Sequence, residues 1–187
     1  MNAWRALLLI SLALLGGCLV TFKEPIAPQQ AAPEHLLGSW TRIDEYGEEQ
    51  VLEISRSAEN RYRAVTYVGD RSNTDSLLDL PFTVARHGQR WYFSAELPRS
   101  QGGNFALAGF EITDKDELVV YSLDVEQILA DIGKGRLQGQ KVDSEQGAGA
   151  LVSSPLSQVL AYLDDPSNAD VFTEALRFQR VKPGERP

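Results

Sequence analysis

Two runs in the middle of this chain alternate apolar and polar residues with a period of two. Leu78, Leu80, Phe82 and Val84 fall on one face of residues 77–85, and Trp91, Phe93 and Ala95 on one face of residues 90–96. Successive side chains of an extended backbone point to opposite sides, so this alternation marks strands with one buried face. His87-Gly88 separates the runs as a hairpin turn. A chain built around such a hairpin must bury one face of a sheet against something else.

The same pattern continues on both sides. Residues 39–44 and 50–56 flank a turn at Tyr46-Gly47-Glu48, and residues 61–68 follow the turn signal Ala58-Glu59-Asn60. Residues 105–113 and 117–123 form a hairpin around Asp114-Lys115-Asp116, beyond a flexible loop at Ser100-Gln101-Gly102-Gly103-Asn104. About seven strands in meander order imply antiparallel pairing. Helices come late. Asp124 is suited to cap a helix that presents Val125, Ile128, Leu129 and Ile132 and stops at Gly133. Ser154, with Pro155 behind it, is read as the cap of a second helix presenting Leu156, Val159, Leu160 and Leu163, which ends near Asp165-Pro166. Asn168 is read as capping a short turn with Val171 and Phe172, and residues 176–181 as the last strand. The expected fold is mainly β: a curved antiparallel sheet closing into a small barrel or sandwich, with two or three short helices before the last strand.

The first residues carry an address. Arg5 is followed by a continuous apolar run over residues 6–15, then Gly16, Gly17 and Cys18. A basic start, a short apolar core and small residues before a cut site make a secretory signal. The run is too short to span a bilayer, which takes about 20 apolar residues. Leu15-Gly16-Gly17-Cys18 resembles the lipobox of bacterial lipoproteins. The resemblance implies cleavage between Gly17 and Cys18 and a diacylglycerol thioether on Cys18, with the membrane as partner through that lipid. Leu19, where an Asp commonly signals retention in the inner membrane, implies an outer-membrane anchor facing the periplasm. Residues 1–17 are thus a signal peptide and 18–35 a flexible tether, broken by Pro25, Pro28 and Pro33. A Pro-bearing segment of that length reaches up to about 50 Å. Residues 36–182 form one β-rich domain, and 183–187 a tail.

Gly38-Ser39-Trp40 at the start of the domain resembles the Gly-x-Trp opening of lipocalin-type barrels, and Arg180 in the closing strand resembles the arginine of that family. The resemblance implies that Arg180 packs over Trp40 near the closed end of a barrel, as a structural pair or one end of a ligand site. By alternation Leu176, Phe178 and Arg180 share a face, so the first and last strands of the domain are expected to be antiparallel neighbours. The opening, with Phe172 and Phe178-Gln179-Arg180-Val181 at the end, also resembles many small bacterial lipoproteins that carry no known activity.

Charge and composition remove several functions. Eighteen basic residues face 26 acidic ones, a net charge of −8; removing residues 1–17 takes away only Arg5, so 17 face 26, a balance of −9. A nucleic-acid partner demands a basic footprint, so none is expected. Cys18 is the sole cysteine, so no internal disulfide can form and no second thiol is available for catalysis. Arg86-His87-Gly88-Gln89-Arg90 resembles the Arg-His-Gly-x-Arg motif of histidine phosphatases. That family needs a second histidine downstream, but the other histidine here is His35, and Trp91 stands where a proline is usual. Asp164, Asp165, Asn168 and Asp170 supply oxygen donors, but Pro166 interrupts them and neither a glycine turn nor a closing Glu follows. Ser153 and Ser154 read as capping residues rather than nucleophiles.

No catalytic, cofactor or metal residues are therefore expected, and no cofactor. Most of Tyr46, Tyr62, Tyr67, Trp91, Tyr92 and Phe93 should be core, with any left outside lining a ligand mouth or a docking patch. The leading function is a non-enzymatic envelope module that binds another envelope protein or supports assembly. The alternative is a lipocalin-like carrier of a small apolar ligand, and the third is a hydrolase such as a phosphatase. A barrel filled with side chains would exclude the carrier; an exposed patch around Tyr92 or Tyr67 would favour docking. The sequence does not fix the oligomeric state.

Overall fold

The structure is a computed structural model that describes residues 19–69, 78–99, 103–144 and 147–182. Residues 1–17, the lipobox with Gly17 and Cys18, and the tail 183–187 lie outside the described residues. Eleven strands are described: β1 (Val20–Phe22), β2 (Gly38–Ile43), β3 (Glu49–Ala58), β4 (Arg61–Val68), β5 (Leu78–His87), β6 (Arg90–Glu96), β7 (Phe105–Ile112), β8 (Glu117–Leu123), β9 (Gly139–Ser144), β10 (Gly147–Val152) and β11 (Phe172–Arg180). Helix α1 is Val125–Gly133 and α2 is Leu156–Asp164; 3-10 turns cover Glu34–Leu36 and, with a kink at Asn168, Pro166–Val171.

Eight strands close a barrel. β2 to β8 follow one another as an antiparallel meander, β6 pairs β7 to continue the wall, and β11 enters between β8 and β2 to complete the ring. The expected class holds in its barrel form, with the short helices placed between β8 and β11. The inward face follows the alternation: Trp40, Leu52, Ile54, Tyr62, Phe82, Val84, Ala95, Phe110, Leu118, Val120 and Phe178 make one buried cluster.

A second core lies outside the wall. Tyr92 on β6 and Leu107 on β7 point away from the lumen and are covered by β1, β10, α1 and α2 through Val20, Phe22, Ile128, Ala150, Val152, Val159 and Leu163. The hairpin β9–β10 carries this layer and was not anticipated from the sequence; its glycines and charges mask the alternation. β1 pairs antiparallel with β7 and parallel with β10.

Residues 19–35, within the segment 18–35 expected to form a flexible tether, are instead packed on the fold and lead into Leu36. Val20, Phe22, Ile26, Ala32 and Leu36 are buried, each 7% exposed or less. Their apolar area outweighs the prolines, which fall between the anchoring residues. The segment is stitched down by Thr83 Oγ1 donating to the Ile26 carbonyl (2.5 Å), the Arg86 amide to Gln30 Oε1 (2.6 Å) and the Ala32 amide to Tyr62 Oη (2.7 Å).

Two capping expectations also change. Asp124 caps α1 through the Gln127 amide at 2.9 Å, as expected. Ser154 does not cap α2; it is buried and its Oγ accepts from the Gln138 amide at 2.7 Å, tying the start of β9 to the end of β10. Asp165, not Asn168, caps the following turn, through the Ser167 amide at 2.9 Å. Asn168 is buried and donates its amide to the Tyr162 carbonyl at 2.9 Å.

Candidate functional site: the barrel lumen

The two ends of the barrel differ. At one end the 3-10 turn Glu34–Leu36 folds under the lumen, with Leu36 buried. Trp40 is fully buried and donates from Nε1 to the Leu36 carbonyl at 3.0 Å. Arg180 stands opposite Trp40 on the neighbouring antiparallel strand, with its guanidinium carbon 4.1 Å from the indole centroid. That is inside the roughly 6 Å range of a cation–π contact. Its Nη1 donates to the Leu37 carbonyl at 3.2 Å and its Nη2 to the His35 carbonyl. Gly38 holds φ at +121°, and a Cβ there would meet Arg180 Nη1 at 3.3 Å. The pair thus locks the closed end and faces carbonyls, not a free hollow.

Above this floor the lumen is not filled. A void of about 100 Å³ is lined by Leu52, Ile54, Ala64, Leu80, Phe82, Leu176, Phe178 and neighbours, with Thr66 the one polar side chain. Thr66 Oγ1 is buried without a hydrogen-bond partner. At the other end lies a mouth of about 790 Å³, reached by Leu19, Leu97, Ala106, Leu123, Val125 and Ala175. Leu78, Leu80, Phe93 and Val120 border both spaces, so these side chains are what stands between void and mouth. The void alone is smaller than a usual ligand pocket of roughly 300–1,000 Å³, and the mouth is of that scale. An engineered apolar cavity of about 150 Å³ stays dry and takes benzene, so a space of this kind is one that apolar atoms fill and water does not.

Polar groups sit one layer above the void. Arg42 shares the inner face of β2 with Trp40, and Gln50 stands opposite it on β3. Arg42 Nε donates to Gln50 Oε1 at 2.7 Å, and Gln50 Nε2 donates to Asp44 Oδ2 at 3.3 Å. The guanidinium lies 5.7 Å from the Phe178 ring. Burial lowers the Arg42 pKa from its ordinary value, against the opposing pull of Asp44 and Glu45. Sequence reasoning passed over Arg42, although its place two residues beyond Trp40 puts it on the same face.

The chain matches no protein-family model, no curated protein and no solved structure. The lumen must therefore be weighed on its own chemistry against the other candidates.

The arginine–histidine turn does not converge on a point. Gly88 and Gln89 make the hairpin, and Arg90 lays its guanidinium over Phe172 at 3.9 Å and Tyr121 at 5.1 Å. His87 Nδ1 lies 3.7 Å from Asp164 Oδ2, and the Asp164 carboxylate presses against Gly88. His35 shares a groove of about 620 Å³ with Gln89 and Arg90, but Glu111, Asp114 and Asp116 border it too. An anion there would face three carboxylates. The four oxygen donors near α2 also part company: Asp164 beside His87, Asp165 on the Ser167 amide, Asn168 on Tyr162, and Asp170 accepting from Gln127 at 2.9 Å. Among the described residues no group of three His, Cys, Asp or Glu side chains could hold a metal ion. Tyr67 and Tyr92 are 3% and 0% exposed, so they form no outer patch.

Proposed function

We propose that this chain is a lipid-anchored protein of the bacterial cell envelope whose barrel takes up a small apolar ligand, with Cys18 as the acylated residue and the outer membrane, on its periplasmic side, as its place. The observation that carries the ligand reading is the apolar void, which shares wall residues with a wide mouth at one end and is sealed by Leu36, Trp40 and Arg180 at the other. A core that served stability alone would close such a space, because interiors pack to near-crystalline density and each void forfeits contacts. The lipid anchor rests on the Leu15-Gly16-Gly17-Cys18 motif. Docking to another envelope protein is the second reading, favoured by Ile43 and Tyr46, which are 64% and 63% exposed around the β2–β3 turn.

The neutral probe 1-decanol, carrying a carbon-13 label on its carbinol carbon, tests the ligand reading. With the full chain in phosphatidylcholine nanodiscs, a bound resonance distinct from the bilayer pool is the expected result. Ala64→Phe places a ring in the void and should weaken binding about tenfold or more. Absence of a bound resonance in the native protein, or binding indifferent to Ala64→Phe, would remove the carrier and leave docking.

A further inference from the structure

We propose that the ligand is a single-chain amphiphile with an anionic head, and that Arg42 on the inner wall receives the head while the chain descends into the void. This rests on the apolar-ligand reading above and adds the chemical class of the ligand.

Position comes first. Gln50 lies opposite both Arg42 and Val68, and one step deeper Leu52 is paired with Thr66, both lining the void. Two residues along a strand are about 7 Å, so the guanidinium stands roughly that far above the layer of Leu52 and Thr66. A head at Arg42 therefore leaves the first methylenes beside Phe178 and the rest of the chain free to fill the lumen.

Unsatisfied chemistry comes second. Arg42 Nε is used by Gln50, but among the described residues neither Nη atom has a hydrogen-bond partner and no carboxylate lies within ion-pair distance. Arg180, at the closed end of the inner face, spends both Nη atoms on carbonyls. Asp44 and Glu45 attract the half-buried guanidinium only from beyond ion-pair distance, so its two Nη donors remain free for an anion. Its planar pair of donors fits a carboxylate or phosphate with two parallel hydrogen bonds. A neutral apolar ligand would leave those two donors unused. The acyl chains expected on Cys18 carry no anion and would not use Arg42 either.

The test compares decanoate, labelled with carbon-13 at the carboxyl carbon, with labelled 1-decanol. Both are bound to the full chain in phosphatidylcholine nanodiscs at pH 8. The native protein should prefer decanoate about tenfold. Arg42→Gln should abolish that preference while leaving decanol affinity unchanged, which also reports that the barrel is intact. Arg42→Lys should keep part of the preference. Arg61→Gln, a change to an exposed arginine at the start of β4, away from the mouth, should keep all of it, so a nonspecific effect of positive charge is separated. Equal affinity for the two probes in the native protein, or a preference that survives Arg42→Gln, overturns the role of Arg42 while decanol binding upholds the apolar pocket. If neither probe binds, both proposals fall. If Arg42→Gln loses decanol as well, the preference retained or lost in Arg42→Lys decides.

Discussion

A carboxylate with almost no access to water sits between the two helices, and single side chains there show how the outer layer is held. Asp131 on α1 is 2% exposed. It accepts from Tyr162 Oη on α2 at 2.7 Å, Lys134 Nζ at 3.2 Å and Arg136 Nη1 at 3.4 Å. The Tyr162 hydroxyl is the largest of the influences that hold the Asp131 carboxyl below its ordinary range, ahead of Lys134 and Arg136. Burial, aided by Asp131, pushes the Tyr162 phenol up. Tyr162→Phe removes a donor to a buried charge, a change that costs about 1.5–3 kcal/mol. The sign with pH follows from the lowered carboxyl. Its contribution is complete above the unfolded Asp value of about 3.9 and is lost as pH falls through the depressed folded value. Denaturant melts should therefore show the stability gap between native protein and Tyr162→Phe at full size at pH 6 and narrowing below about pH 4. A gap that stays constant down to pH 2 would count against the assignment.

At the scale of elements, β1 is the one whose place depends on a single missing methyl group. The Leu19 carbonyl accepts from the Ala150 amide at 3.0 Å, and a Cβ on Gly149 would stand 2.8 Å from that same oxygen. Contact that close with backbone forces a shift, so Gly149→Ala should push β1 off the edge of β10. Hydrogen exchange at the Thr21 and Phe22 amides should speed up at least tenfold while amides of β3 and β4 keep their protection. Unchanged protection at residues 21 and 22 would show that the strand does not need the glycine. The element also marks the limit of what the sequence disclosed. The barrel strands were legible because each runs for six or more residues between Gly, Asn and Asp turns, and β4, β6 and β8 fall where periodicity put them. The contact of Trp40 with Arg180 was legible from alternation and the Gly-x-Trp opening. Val20-Thr21-Phe22 was not, because three residues are too few for a period and three prolines follow soon after. Its burial is decided by β10 and β7, which lie far along the chain. The void was illegible for a related reason: Leu52, Ala64 and Leu176 announce a core in sequence, and only their packing leaves it incompletely filled.

The whole molecule sets the void against the membrane. Residues 19 and 36 lie at opposite ends of the barrel, so the segment once expected to hold the domain away from the bilayer instead runs along its wall. Leu19 borders the mouth. One peptide unit, 3.8 Å between Cα atoms, separates it from Cys18. If Cys18 carries a diacylglycerol, the mouth stands at the headgroups and a ligand passes between bilayer and lumen without crossing much water. Two acyl chains make such an attachment stable, whereas one would bind reversibly. Among the described residues no helix is long and apolar enough to cross a membrane. The orientation can be read with a nitroxide attached to a single new cysteine, Glu126→Cys beside the mouth or Lys115→Cys in the β7–β8 turn at the closed end. From residue 117 to 123 the wall of β8 alone rises roughly 20 Å. In vesicles, lipid-phase oxygen should broaden the label at 126 strongly and the label at 115 little, and a water-soluble nickel chelate should do the reverse. Cys18→Ser should lose fatty-acid labelling in cells. Equal access at both positions in the acylated protein would place the mouth away from the bilayer, and with it the route from membrane to lumen.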